Sequence, residues 1–162
     1  MSAPESAIEL LMACHERMHR YVGGVEQLVD LPDGERARTA AAQCARYLRA
    51  GLPLHGEDED ESLAPRLREL GLSEAEEAAL EQMEAEHEEL HRGLPGLLAA
   101  LDARAEGRPA DLAPHAAWIG PLLRGHMELE ERSIFPRLAD LPEGERAEIV
   151  REIRARRHAA IV

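Results

Sequence analysis

Histidine and glutamate recur in this chain as pairs four residues apart. His55 and Glu59 form one pair and His126 and Glu130 another, each inside a longer shared pattern. Set against each other at an offset of 71 residues, segments 55–67 and 126–138 also share Glu57/Glu128, Ser62/Ser133, Pro65/Pro136, Arg66/Arg137 and Leu67/Leu138. On a helix this separation puts two side chains on one face, with about 6 Å of rise between them. An imidazole and a carboxylate so placed can serve one metal ion, or one can bind while the other bridges to a neighbouring ion. A second echo, at an offset of 72, pairs His15, His19 and Arg20 with His87, His91 and Arg92. The candidate metal ligands are therefore His15, His55, Glu59, His87, His91, His126 and Glu130. His19, the repeat counterpart of His91, is expected to leave metal stoichiometry unchanged when it is removed.

The elements that would carry these residues are helices. Ser2-Ala-Pro-Glu5 reads as a capping box that opens the first one. From there Ile8, Leu11, His15, Met18, Val22, Val25 and Val29 alternate steps of three and four, an inward seam with one polar member. Leu31-Pro-Asp-Gly34 ends that helix, with Asp33 as N-cap of the next. The second helix runs from about 35 to about 69, facing Cys44, Leu48, Gly51, His55, Glu59 and Leu63 inward. Gly51 and Pro53 predict a kink just before His55. Ser73-Glu-Ala-Glu76 caps a third helix with Leu80, Met83, His87, Leu90, Leu94, Leu97 and Leu101 on its seam. A fourth, from about 111 to about 139, presents Ile119, Leu122, His126, Glu130 and Ser133 or Ile134. Four long helices with short connections predict an all-α, up-down-up-down four-helix bundle. A short, charged C-terminal helix over 143–158 completes it. The whole chain, 1–162, reads as a single domain, its core bundle spanning about 5–139.

The four helix midpoints fall near residues 17, 52, 89 and 125, so the seven candidates belong to one layer of an antiparallel bundle. One histidine on an apolar seam is ordinarily a hydrogen-bonded core residue. Five histidines and two carboxylates in one buried layer are different, because a buried unpaired carboxylate costs several kcal/mol even after relaxation. Divalent cations would supply the charge and occupy the lone pairs together. A structural zinc site needs only four ligands, often thiolates. The His-rich set with two carboxylates suits two iron ions with one open position, while zinc and manganese remain open as alternatives.

The ordered motifs, His15, then His-x-x-x-Glu at 55/59, His-x-x-x-His at 87/91 and His-x-x-x-Glu at 126/130, resemble the hemerythrin family and its HHE cation-binding domains. The resemblance covers about residues 5–139. It implies a four-helix bundle around a non-haem di-iron centre, oxo- or hydroxo-bridged, that binds O2 or a related small molecule. Glu59 and Glu130 would bridge the irons. His87, His91 and His126 would hold one iron, and His15 and His55 the other, which stays open for the ligand. Oxygen-carrying members close the last motif with an aspartate five residues after the histidine. This chain has Glu130 at four.

Composition bounds the alternatives. A formal charge of −13 disfavours nucleic-acid and anionic-membrane partners, and no stretch is long enough to span a bilayer. The start carries no charged segment followed by an apolar run, and Cys14 and Cys44 have no framework spacing. Together these predict a cytoplasmic protein with reduced thiols. Apart from Glu59, the acidic run Glu57 to Glu61 reads as a solvated helix face. The arginine-rich tail would serve a helix dipole or an acidic partner. The expected activity is binding or sensing of a diatomic ligand, O2 or NO. Turnover of peroxide or NO, repair of iron centres, and iron storage or sensing are the competing classes.

Overall fold

The computed structural model describes residues 6–161. Helix α1 spans Ala7–Asp30. The second rod is built from α2 (Glu35–Arg46), a π segment (Tyr47–Gly51), α3 (Leu52–Glu57), a second π segment (Asp58–Leu63) and α4 (Ala64–Leu70). Helices α5 (Glu74–Ala105) and α6 (Ala113–Ser133) follow, then a 3-10 turn (Phe135–Asp140) and α7 (Glu143–Ile161). Each rod packs on its neighbours in chain order and α6 closes back on α1, giving the expected four-helix bundle.

The helix starts follow local chemistry. Ser6 and Glu9 form a reciprocal capping box on α1, and Ser73 and Glu76 do the same on α5. The box expected at Ser2–Glu5 lies outside the described residues. Asp33 does not cap α2, because its carboxylate takes two hydrogen bonds from Arg38 instead, at 3.0 and 2.8 Å. On α1, Ala7 and Leu28 are buried at the two ends, while Ile8 is exposed beside α7.

The second rod neither breaks nor stays a plain α-helix, and every junction residue along it keeps right-handed helical angles. Pro53 and Pro65 each stand two residues past a π segment. Proline offers no N–H and its ring crowds the carbonyl four residues back. A π-turn carries an extra residue, and the preceding backbone can make room without ending the helix. Pro95 and Pro121 lie within α5 and α6 with no such turn, so proline alone is not sufficient. The extra residues reset which side chains face inward. Leu52 is buried in place of Gly51, and Asp58 and Ser62 are buried alongside Glu59.

Two apolar clusters fill the bundle. The larger, built on Met18, Val22, Leu48, Leu97 and Ile119, occupies one end. The other, built on Leu11, Leu67, Leu80, Met83 and Phe135, occupies the opposite end. Along every rod the change from one cluster to the other falls at His15, His55 to Glu59, His87 and His126 to Glu130. The polar layer therefore divides the core.

Helix α7 is more firmly attached than its composition predicts. Ile149 and Ile153 are buried in the second cluster. Arg156 and Arg157 reach Asp58, a carboxylate that is 0% exposed, with nitrogen–oxygen distances of 3.1 and 2.5 Å. Asp58 thus departs from the solvated-face expectation, and the arginine-rich tail finds its acidic partner inside the chain. Removing one member of a buried ion pair leaves the others uncompensated, typically at 3–5 kcal/mol. Both arginines keep some contact with water, so Asp58→Ala is expected to lower the stability of metal-free protein by about 3 kcal/mol. Urea unfolding measures it, and a loss below about 0.5 kcal/mol would contradict the pairing.

Candidate metal centre

His15 comes from α1, His55 and Glu59 from the second rod, His87 from α5, and His126 and Glu130 from α6. Glu59 and Glu130 are fully buried, and the histidines nearly so, His87 being the most open at 11% exposure. Their donor atoms converge in two groups that share both glutamates. His15, His55, Glu59 and Glu130 form one, and His87, His126, Glu59 and Glu130 the other, each with atoms within 4.8 Å of one another.

The two carboxylates divide their oxygens between the groups. Glu59 turns Oε1 to His55 Nε2 at 2.8 Å and Oε2 to His87 Nε2 at 3.0 Å. Glu130 turns Oε2 to His15 Nε2 at 2.9 Å and Oε1 to His126 Nε2 at 2.6 Å. The two imidazoles on α5 and α6 also face each other, Nε2 to Nε2, at 3.1 Å.

Three histidines are braced from behind by carboxylates. Nδ1 lies 2.7 Å from Glu131 at His15, 2.8 Å from Asp60 at His87 and 2.7 Å from Glu86 at His126. A carboxylate only accepts, so each Nδ1 donates, and in a neutral imidazole the lone pair then sits on Nε2, aimed into the layer. Three such lone pairs, the His55 ring and two carboxylates facing one another repel unless positive charge stands between them. His15 and His87 meet Glu130 Oε2 and Glu59 Oε2 in hydrogen-bond geometry, but the other inner contacts do not. His55 Nε2 and Glu59 Oε1 approach closely, yet neither has a hydrogen-bond partner, and Glu130 Oε1 and His55 Nδ1 are likewise unpartnered. Short distance without hydrogen-bond direction is what converging acceptors show. The donor set therefore fits a pair of cations.

Protons are the alternative counter-charge, and the electrostatics reflect it. Burial alone would strip His126 of its proton, but the Glu130 and Glu86 carboxylates against its two nitrogens hold it up to about 10. Burial is overcome likewise at His87, which Asp60 and Glu59 hold to about 9. His55 is raised against its burial chiefly by the charge of Glu59, and Glu130 is lowered against its burial by His126 and His15. Behind His55 stands Cys14 instead of a carboxylate. One His55 nitrogen, Cys14 Sγ and an Asp58 oxygen lie within 4.8 Å of one another. Burial would raise this thiol, yet His55 and Arg17 draw it down to about 7, whereas burial pushes Cys44 up to about 11.

Six of the seven sequence candidates meet in this layer. His91 does not, being exposed one turn beyond His87 and outside both groups. It lines a neighbouring cavity of about 330 Å³, together with Leu52, Leu90, Leu94, His55, His87 and His126. His19 is exposed, one turn beyond His15 on α1, and belongs to neither group. The bracing residues Glu131, Asp60 and Glu86 were not singled out from sequence, although the repeat held a signal. Asp60 and Glu131 occupy the same place in the two copies, one residue after each bridging-type glutamate.

Among the described residues no helix is long and apolar enough to cross a membrane. None of the curated proteins or solved structures compared matches the chain. The family model of the Hemerythrin HHE cation binding domain matches residues 6–138, and a second, overlapping match covers 78–161. With a buried His/Glu cluster able to hold a metal and a match over most of its length, the chain belongs to the Hemerythrin HHE cation binding domain family.

Proposed function

We propose that this protein is a non-haem di-iron protein that binds or senses a small uncharged diatomic molecule, O2 or NO. The observation that carries the proposal is the division of the Glu59 and Glu130 oxygens between two histidine pairs. In this reading the two glutamates would be shared by both ions, His15 and His55 would hold one, and His87 and His126 would hold the other. His91 stays at the cavity wall and is not required for retention. Bound there, the two ions would supply redox electrons and a free coordination position for the ligand.

The chain's own residues prepare the rest. Leu52, Leu90 and Leu94 give the cavity beside His87 and His126 an apolar wall, while Glu57, Asp60 and Glu88 line the same cavity with negative charge. Such a passage repels anions and admits neutral molecules, in keeping with the −13 charge of the whole chain. Glu131, Asp60 and Glu86 hold their imidazoles in the tautomer that points Nε2 inward.

Elemental analysis of protein purified without added metal, with optical spectra taken with and without oxygen, tests the reading. Two irons per chain and a reversible spectral change are expected. Catalytic loss of peroxide or NO would instead make the protein an enzyme. Glu59→Ala and Glu130→Ala should each reduce bound metal to one ion or none, whereas His91→Ala should keep two. Retention of both ions in either glutamate variant would remove the bridging assignment.

Metal and protons compete for the same imidazoles, which gives a pH signature. In metal-free protein His87 and His126 are raised from 6.5 to about 9 and about 10, so they favour the fold fully below pH 6.5. That contribution disappears as pH climbs through their folded values. Glu130 is lowered from 4.5, so its contribution is present above that pH and is lost in acid. The melting temperature of metal-free protein should therefore be highest between pH 4.5 and 6.5 and decline toward pH 10. Zinc loading should abolish the alkaline decline. A flat metal-free profile between pH 6 and 10 would mean that protons are not the substitute charge.

A further inference from the structure

The internal repeat makes a specific demand on the residue behind each imidazole. At the offset of 72 His15 corresponds to His87, and at 71 Glu131 corresponds to Asp60. The contacts follow the same symmetry, since His15 is braced by Glu131 and His87 by Asp60. The remaining pair is His126, braced by Glu86 at 2.7 Å, and its counterpart His55. The residue that corresponds to Glu86 is Cys14.

Cys14 also lies where that correspondence requires. His55 is 1% exposed and its Nδ1 has no hydrogen-bond partner. Its Nε2 is engaged on the inner side with Glu59, so Nδ1 is the nitrogen turned toward Cys14 Sγ and Asp58. Asp58 already accepts three guanidinium N–H groups from Arg156 and Arg157. The sulfur is arranged as an acceptor as well. Arg17 donates to it at 3.1 Å and Arg157 Nη2 approaches at 3.8 Å. Three arginines around this group exclude it as a third cation site. They suit an electron-rich sulfur that takes a further N–H.

We propose that Cys14 is the positioning residue of His55, accepting its Nδ1–H as Glu86 does for His126. The proposal rests on the reading that the layer holds metal. Its consequence is that the two ions are inequivalent. One is served by two carboxylate-braced imidazoles, the other by one carboxylate-braced and one sulfur-braced imidazole whose brace α7 supports through Arg157. Loss of such an outer partner typically weakens metal binding by about 10–100-fold.

Zinc-loaded, 15N-histidine-labelled protein gives the test, with ring-nitrogen NMR for the hydrogen bond and chelator competition for retention. In Cys14→Ala the His55 Nδ1 signal should shift while those of His15, His87 and His126 stay, and one of two zinc ions should be released about ten-fold more readily. Cys14→Glu, which installs the residue of the other half, should restore retention. Cys14→Val, which fills the space without an acceptor, should change both readouts in the same direction and serves where the alanine variant folds poorly. A His55 signal that moves in Asp58→Asn but in neither apolar Cys14 variant would assign the brace to Asp58 and overturn the proposal. Wild type holding two zinc ions, with an alanine or valine variant equal to it in both readouts, would overturn the role of Cys14 alone. Wild type taking up no zinc would remove the metal reading and this inference together.

Discussion

Two carboxylates with no exposure to water, held between two apolar clusters, are the constraint to which the rest of the molecule answers. Each costs several kcal/mol to bury as an ion even after the protein relaxes. The compensation must therefore come from charges inside the layer. Imidazoles can supply it in two forms, as protonated partners, which the raised His87 and His126 favour, and as neutral lone-pair donors to the metal that the cluster is able to hold.

The braces behind the imidazoles turn this local chemistry into architecture. His15 on α1 reaches Glu131 on α6, His126 on α6 reaches Glu86 on α5, and His87 on α5 reaches Asp60 on the second rod. With His55 turned toward Cys14 on α1, the circuit closes. Each rod thus holds a donor of its neighbour in orientation, and the layer acts as a belt around the bundle. The pseudo-twofold repeat is what makes such a belt economical, because two kinds of contact used twice are enough to complete it.

Much of this is legible in the amino-acid sequence itself. The His-x-x-x-Glu pairs, the matched offsets and the seams of α1 and α5 carry both the bundle and six members of the layer. What was not legible depends on backbone phase. The two π segments shift the inward face of the second rod, burying Leu52, Asp58 and Ser62, and no count in steps of three and four anticipates that. His91 shows the converse. Its spacing from His87 satisfies the motif, but at that turn of α5 the inward position belongs to Leu90 and Leu94. Spacing states which residues share a face, whereas packing decides which part of the face is inside.

Helix α7 also belongs to the problem of the buried charges. A third carboxylate, Asp58, is buried next to the layer with no counterpart in the other half, where Leu129 stands. Two arginines from α7 neutralise it, and one of them comes within reach of the sulfur behind His55. The four rods alone would leave that carboxylate without a counter-charge. The C-terminal helix is therefore the element that makes the unsymmetrical half of the layer tenable, with Arg156 and Arg157 standing where the two halves differ.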